Sequence, residues 1–193
     1  AYITINNPKN YKSWSGLNYN IYKCLKSAGH SVTCIGPLKK NLKIFFVIKR
    51  IILGFIGIKF DADRTISLSK YYSSQVNKKI KNKKYDLILT SDTNSIAYLN
   101  SNLPIVLWLD ASFQSWYKHY FFDQFISKKT LKEANLNEQK AFDKSFQIFV
   151  TSKWAKDQIL KIYNCSKNKI KILPFGSNLE LNPTLREILI KKK

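Results

Sequence analysis

Residues 86–112 read DLILTSDTNSIAYLNSNLPIVLWLDAS. Two apolar runs stand out, Asp86–Leu89 and Ile105–Leu109, rich in Ile, Leu and Val and without strict alternation. Strands buried on both faces read this way. Each run ends in small polar residues, Ser91-Asp92-Thr93 after the first and Asp110-Ala111-Ser112 after the second. Between them Ile96, Ala97 and Leu99 follow Ser91 or Asp92, which predicts a capped helical segment. Strand, helix and strand in that order imply parallel pairing through a right-handed crossover.

The same alternation extends in both directions. Further apolar runs lie at Tyr2–Ile5, Val32–Ile35, Gln147–Val150 and Ile170–Leu173. Leu17, Ile21, Cys24, Leu25 and Ala28 form a helical stripe, with Ser13 or Ser15 as cap and Gly29 as terminator. Leu131, Ala134, Ala141 and Phe142 share a second helix face, and Ala155, Ile159 and Ile162 a third, behind Thr151-Ser152. Residues 42–81 lack an obvious strand and predict helices around a loop at Lys59–Arg64. The expected fold is α/β: a doubly wound, mostly parallel, six-stranded Rossmann-like sheet with helices on both faces and strand order 3-2-1-4-5-6. Residues 1–178 read as one domain, and 179–193, beyond Pro174-Phe175-Gly176, as an exit segment.

The chain has 193 residues, 45% hydrophobic, enough for one sizeable core. Its 33 Lys and Arg against 12 Asp and Glu give a net charge of +21. That balance suggests an anionic partner: nucleic acid, anionic lipid or a phosphorylated ligand. A solvated Lys/Asn-rich surface accounts for many of the lysines but not for the shortage of acids. The lysines are scattered, arginine is rare, and no helix-turn-helix or RNA-recognition signature occurs, which weighs against nucleic acid. Cys24, Cys34 and Cys165 are widely spaced, with no Cys/His cluster, so no metal site is expected. They read as reduced thiols of a cytoplasmic protein, Cys24 and Cys34 in the core.

Leu42–Ile58 is the most membrane-like segment, but Lys43, Lys49 and Arg50 interrupt it, so it does not read as a spanning helix. Wound as a helix, it puts Lys39, Lys40, Lys43 and Arg50 on one side, continued by Gly54 and Gly57, and Phe45, Ile48, Ile52, Phe55 and Ile56 on the other. Such a basic amphipathic helix either packs its apolar face on the sheet or rests on an anionic membrane surface, peripherally and on the inner face.

Ligands of open α/β sheets bind beyond the carboxyl ends of the strands. Here those ends carry Asn6-Asn7 and the loop to Gly16, Gly36-Pro37, Ser91-Asp92-Thr93, Asp110-Ala111-Ser112, Thr151-Ser152-Lys153-Trp154 and Pro174-Phe175-Gly176. There is no Gly-x-Gly-x-x-Gly after the first strand, no Gly-Lys-Ser/Thr phosphate loop and no Gly-x-Ser-x-Gly elbow. A dinucleotide enzyme, an NTPase and a hydrolase of the elbow type are thereby disfavoured. Gly16 at a helix start remains, suited either to phosphate approach or to close helix packing.

The ordered set WSG (14–16), AGHSVTCIGPL (28–38), YDLILTSDTNSIAYL (85–99), LPIVLWLDASF (103–113) and AFDKSFQIFVTSKWAKDQILKIYNCSKNKIKILPFGSN (141–178) resembles a known family. It is similar to the amino-terminal domain of retaining glycosyltransferases of the GT-B fold, in the glycosyl-transferase group 1 family, over residues 2–178. The resemblance implies a two-domain enzyme that transfers a sugar, with a sugar-nucleotide donor as substrate and no metal or other cofactor. The donor nucleotide belongs to a carboxyl-terminal domain, which should begin where this chain stops. The chain therefore reads as a fragment, a truncated form or a remnant that does not transfer sugar alone.

The resemblance also implies site residues. The loop from Asn6 to Ser15 should wall the cleft between acceptor and donor phosphates, with Ser15 and Gly16 at its inner end and Lys9, Lys12 and Trp14 as weaker members, Trp14 alternatively a packing anchor. Asp110 should orient the acceptor hydroxyl or receive its proton, unless it merely caps the helix near Ser112. Glu138 falls on the apolar stripe of its helix, so it needs a buried partner and reads as a brace, with Ser152, Asp92 and Gly176 in support.

Overall fold

The computed structural model describes residues 1–40, 44–121 and 125–176. The segment 179–193 and Lys43 lie outside them.

The chain runs β1 (Tyr2–Ile3), α1 (Leu17–Ser27), β2 (Cys34–Ile35), α2 (Ile44–Phe55), β3 (Ile58–Lys59), α3 (Ile66–Ile80), β4 (Ile88–Thr90), β5 (Ile105–Leu109), α4 (Phe113–Tyr120), β6 (Phe125–Ile126), α5 (Lys128–Lys144), β7 (Gln147–Val150), α6 (Lys153–Ile162) and β8 (Ile170–Ile172). All six expected apolar runs contribute strands to one parallel sheet. The α/β Rossmann-like class is therefore as expected.

The strand order is not. The sheet reads β2-β1-β4-β5-β7-β8, which in terms of the six runs is 2-1-3-4-5-6 rather than 3-2-1-4-5-6. The first strand pairs on both edges at once: Tyr2 lies opposite Cys34 on one side and Leu89 on the other. The edge beyond β2 is closed to extension because the strand lasts two residues and runs into Gly36-Pro37, where proline lacks the ladder donor. The connection from β2 to β4 instead returns past β1, and the switch point opens between β1 and β4.

Alternate residues sort onto two faces. Ile3, Ile88, Ile105, Leu107, Leu109, Ile148, Val150 and Ile170 join Leu68, Tyr72 and Val76 of α3, Ala141 and Phe142 of α5, and Ala155 and Ile159 of α6 in the main core. On the opposite face Tyr2, with Leu89 and Trp108, meets Leu17 and Ile21 of α1. Trp108 Nε1 also donates to the Leu173 carbonyl at 2.9 Å, and Phe175 packs 5.0 Å from its ring.

Several local expectations are corrected. Neither Ser13 nor Ser15 caps α1; Gly16 stands at its N-cap position with a left-handed backbone and no side-chain cap bond. Residues 94–98 form turns rather than a helix. α3 takes the covering place there: Ser73 Oγ donates to the Ser95 carbonyl at 2.9 Å and accepts from the Tyr98 N–H at 3.2 Å. A short parallel pair, β3 with β6, lies where no strand was predicted; two residues each carry no readable period. Cys24, on the exposed side of α1, is exposed, and Cys34, on the edge strand β2, is half-buried; all three cysteines are free. Finally, α2 has no buried residue, so its apolar face does not pack on the sheet. Among the described residues, no helix is long and apolar enough to cross a membrane.

Gly36 passes against the end of β1: a Cβ there would stand 2.5 Å from the Thr4 carbonyl oxygen and 2.8 Å from Thr4 Oγ1. Backbone cannot step aside as a side-chain tip can. Gly36→Ala is expected to destabilise the domain by about 1–3 kcal/mol. The check is a denaturant melt against Gly54→Ala, where a Cβ meets nothing within 4 Å.

Candidate functional site

A cleft of about 600 Å³ opens at the carboxyl ends of β1, β4 and β5, at the switch point. Thr4, Ile5 and Asn6 line it from β1, Ser91 to Asn94 from β4, and Asp110 and Ala111 from β5. Phe113 and Trp116 of α4 and Glu138 of α5 form a further wall. The corner Asp61–Arg64, ahead of α3, closes the side facing Lys40.

The loop leading to α1 contributes Trp14. Three consecutive residues there are left-handed: Trp14 (φ 48°, ψ 50°), Ser15 (φ 51°, ψ 33°) and Gly16 (φ 76°, ψ 1°). Two of them carry side chains, a strain of roughly 1–3 kcal/mol each. The turn brings the Trp14 ring to the cleft and edge-on to Phe175 at 6.3 Å. Gly16 is buried and does not line the cleft; a Cβ would stand 3.0 Å from the Tyr11 carbonyl oxygen, so Gly16→Val would strain the fold itself. Lys12 is exposed, its ammonium 5.8 Å from the Tyr11 ring centre, and lies outside the lining, as Ser15 does. Lys9 lines a separate, smaller hollow with Tyr22 and Cys34.

Asp110 is exposed in the cleft, its Oδ1 accepting the Ala111 N–H at 2.7 Å. It does not cap α4. Ser112 does, accepting from the Ser115 N–H. The Thr151 hydroxyl donates to the Asp110 carbonyl at 3.2 Å and fixes its backbone. Asp92 accepts the Ser95 N–H at 2.8 Å and the Asn94 N–H at 3.3 Å, bracing the turn after β4; burial pushes its carboxyl up. Ser152 caps α6 through the Ala155 N–H, outside the cleft, and Gly176 is exposed and also outside it.

Glu138 is 3% exposed. Its two oxygens accept the Phe113 N–H at 3.0 and 2.9 Å, and Oε2 accepts the Tyr163 hydroxyl at 2.6 Å. Burial raises its pKa, against the pull of Arg64, Tyr163 and the Phe113 N–H. The same burial, with Glu138 beside it, pushes the Tyr163 phenol far up.

Arg64, Asp61 and Asp63 were not singled out from the sequence. The Arg64 guanidinium lies 4.4 Å from the Phe113 ring centre and 3.9 Å from Asp61 Oδ2. Lys40 Nζ pairs with Asp63 at 2.5 Å. Asn18 is buried where α1 meets the sheet, its Oδ1 accepting from both the Tyr2 and Ser91 hydroxyls at 2.9 Å. A signal existed: Arg64 is one of only three arginines, and it follows two aspartates in an acid-poor chain. Five of the chain's twelve acids, Asp61, Asp63, Asp92, Asp110 and Glu138, line this one cleft. Among the described residues, no group of three or more His, Cys, Asp or Glu is arranged to hold a metal ion.

A Rossmann-like parallel sheet with a polar, acid-lined cleft at its switch point defines a ligand-binding α/β domain. Residues 17–181 match Glycosyltransferase Family 4, and the chain belongs to that family. No curated protein and no solved structure matches it.

The Glu138 arrangement has a pH signature. Its folded pKa is raised, so the native state holds this proton more tightly than the unfolded chain. Its contribution to stability is then full below the ordinary carboxyl range and is lost as pH rises through the folded pKa. Glu138→Gln is expected to cost about 1–3 kcal/mol, because only one of the two atoms that meet the Phe113 N–H can then accept it. Gln does not titrate, so the gap between wild type and variant should narrow from about pH 4 to about pH 7. Denaturant melts across that range are the measurement; a gap that widens with pH removes Glu138 as the titrating group.

Proposed function

We infer that this domain is the acceptor-binding half of a retaining GT-B glycosyltransferase, moving a hexosyl group from a sugar-nucleotide donor to an acceptor hydroxyl. A second domain facing the cleft would hold the donor nucleotide. The observation that supports this reading is the exposed carboxylate of Asp110 at the carboxyl end of β5, inside the switch-point cleft of a Family 4 chain. In that position Asp110 orients the acceptor hydroxyl and receives its proton. On this reading the donor phosphates approach the left-handed turn through Trp14, the residue of Trp14–Gly16 that lines the cleft.

The cleft's own charge bears on the acceptor. Hydroxyl groups donate well to carboxylates, whereas an anionic group in the cleft would meet five acids with Arg64 and Lys40 as the cations among the lining residues. The acceptor moiety read from this lining is a neutral, polyhydroxylated sugar.

The test has two parts. In saturation-transfer NMR on the 193-residue chain, neutral saccharides should show contact and their phosphorylated counterparts weaker contact. In the two-domain enzyme, Asp110→Asn should cut turnover by about 10²-fold or more. Its melting temperature should stay within about 2 °C, since the exposed carboxylate carries little of the packing. Unchanged turnover in that variant would remove Asp110 from the chemistry.

A further inference from the structure

We propose that α2 is a docking surface for an anionic lipid bilayer, on which it lies flat. At 100° per residue, Ile44, Phe45, Ile48, Ile51, Ile52 and Phe55 fall within one arc of the helix, Ile56 follows in the turn beyond it, and every one of them is exposed. Phe55 is 88% exposed and Ile44 75%. Isolated apolar side chains on a surface need no explanation, but a contiguous stripe of seven does. The inner side of the helix is occupied: Phe46 and Leu53 are half-buried, Phe46 lies 6.0 Å from Phe60, and Lys49 Nζ stands 4.7 Å from the Phe60 ring centre. The apolar arc therefore faces outward because the helix is held the other way, by a different set of residues.

Charge selects the occupant. From Lys39 to Phe60 the sequence contains Lys39, Lys40, Lys43, Lys49, Arg50 and Lys59 and no acid at all. An anionic bilayer offers the complement in the right order, phosphate headgroups outside and acyl chains within. Long basic side chains reach the first while isoleucine and phenylalanine enter the second. A second copy of this chain would bring the same bases against themselves, in a molecule carrying +21. The helix is about 18 Å long, too short to span a bilayer and suited to lying in its interface. The flanks of α2 are also the rim of the cleft, since Lys40, Asp61, Asp63 and Arg64 line it, so a bilayer held by α2 lies beside the cleft's mouth. The inference is independent of the sugar-transfer reading and stands or falls without it.

The experiment is co-sedimentation of the 193-residue chain with vesicles of phosphatidylglycerol in phosphatidylcholine and of phosphatidylcholine alone. Binding is expected to the first and not to the second. The triple variant Ile48→Ser, Ile52→Ser, Phe55→Ser keeps the net charge and alters only exposed side chains, so its circular dichroism and melt should match wild type. Its vesicle affinity should fall about tenfold or more. Arg50→Glu should also weaken binding about tenfold, more so in low salt. Wild-type affinity in the triple variant would mean that scattered lysines bind the vesicles, and would overturn the proposal. So would equal binding to neutral vesicles. So would absence of vesicle binding together with a dimer, seen by light scattering, that the triple variant abolishes.

Discussion

A single desolvated carboxylate organises the wall of the cleft. Glu138 leaves water, which costs several kcal/mol for an unpaired charge. What it receives is the Phe113 N–H, one of the donors that α4 leaves unsatisfied at its start, and the Tyr163 hydroxyl from the end of α6. One side chain of α5 thereby fixes where α4 begins and where α6 ends. Asp110 lies three residues before Phe113, so the geometry of the exposed carboxylate is inherited from the buried one.

The rest of α5 works the same way. Glu133 accepts the Ile66 N–H at 3.0 Å at the start of α3, and Asn137 donates to the Arg64 carbonyl at 2.9 Å. Asn135 donates to Gln114 of α4, and Gln139 exchanges bonds with the Asn164 backbone after α6. Five polar residues within seven positions of one helix thus hold the ends of three others. This explains why α5, whose apolar contribution to the main core is Ala141 and Phe142, can still be the central support of its face. Directional bonds to helix ends do here what bulky side chains do elsewhere, and they specify orientation more sharply than apolar contact can.

Much of this fold is legible in the sequence because burial on two faces leaves a simple mark. Ile105–Leu109 and Gln147–Val150 are strands at the residues their composition indicates. Neighbour order is not marked in that way. Tyr2 and Ile3 carry no sign that Leu89 and Thr90, rather than another strand, will lie beside them; a 52-residue connection decides it. The site divides likewise. Asp110 and Asp92 are readable because they directly follow strands. Asp61, Asp63 and Arg64 come from a corner positioned by Glu133 and Asn137, about 70 residues on, and no local pattern announces such a contact. Glu138 was readable for the opposite reason: an acid on an apolar stripe contradicts its surroundings unless something meets it.

The distribution of charge unites the two faces of the molecule. A chain at +21 pays for its net charge in self-repulsion, and that cost falls if the few acids sit where bases cannot be spared. Five of the twelve do not sit there. Those five are gathered into the cleft, two of them beside its lining cations Lys40 and Arg64, while Asp86, Asp143 and Asp157 stand exposed elsewhere on the described surface. Asp92 and Glu138 are both held above the ordinary carboxyl range, and burial is the main cause for each. The arrangement separates two environments: an exterior with an excess of bases and an exposed apolar helix, and an acid-lined interior. On the proposed readings, the net charge draws anionic surfaces and phosphates toward the rim, and the acids of the cleft oppose them inside it. On those readings, a ligand that satisfies both environments is neutral where it enters the cleft and carries any negative charge where it remains outside.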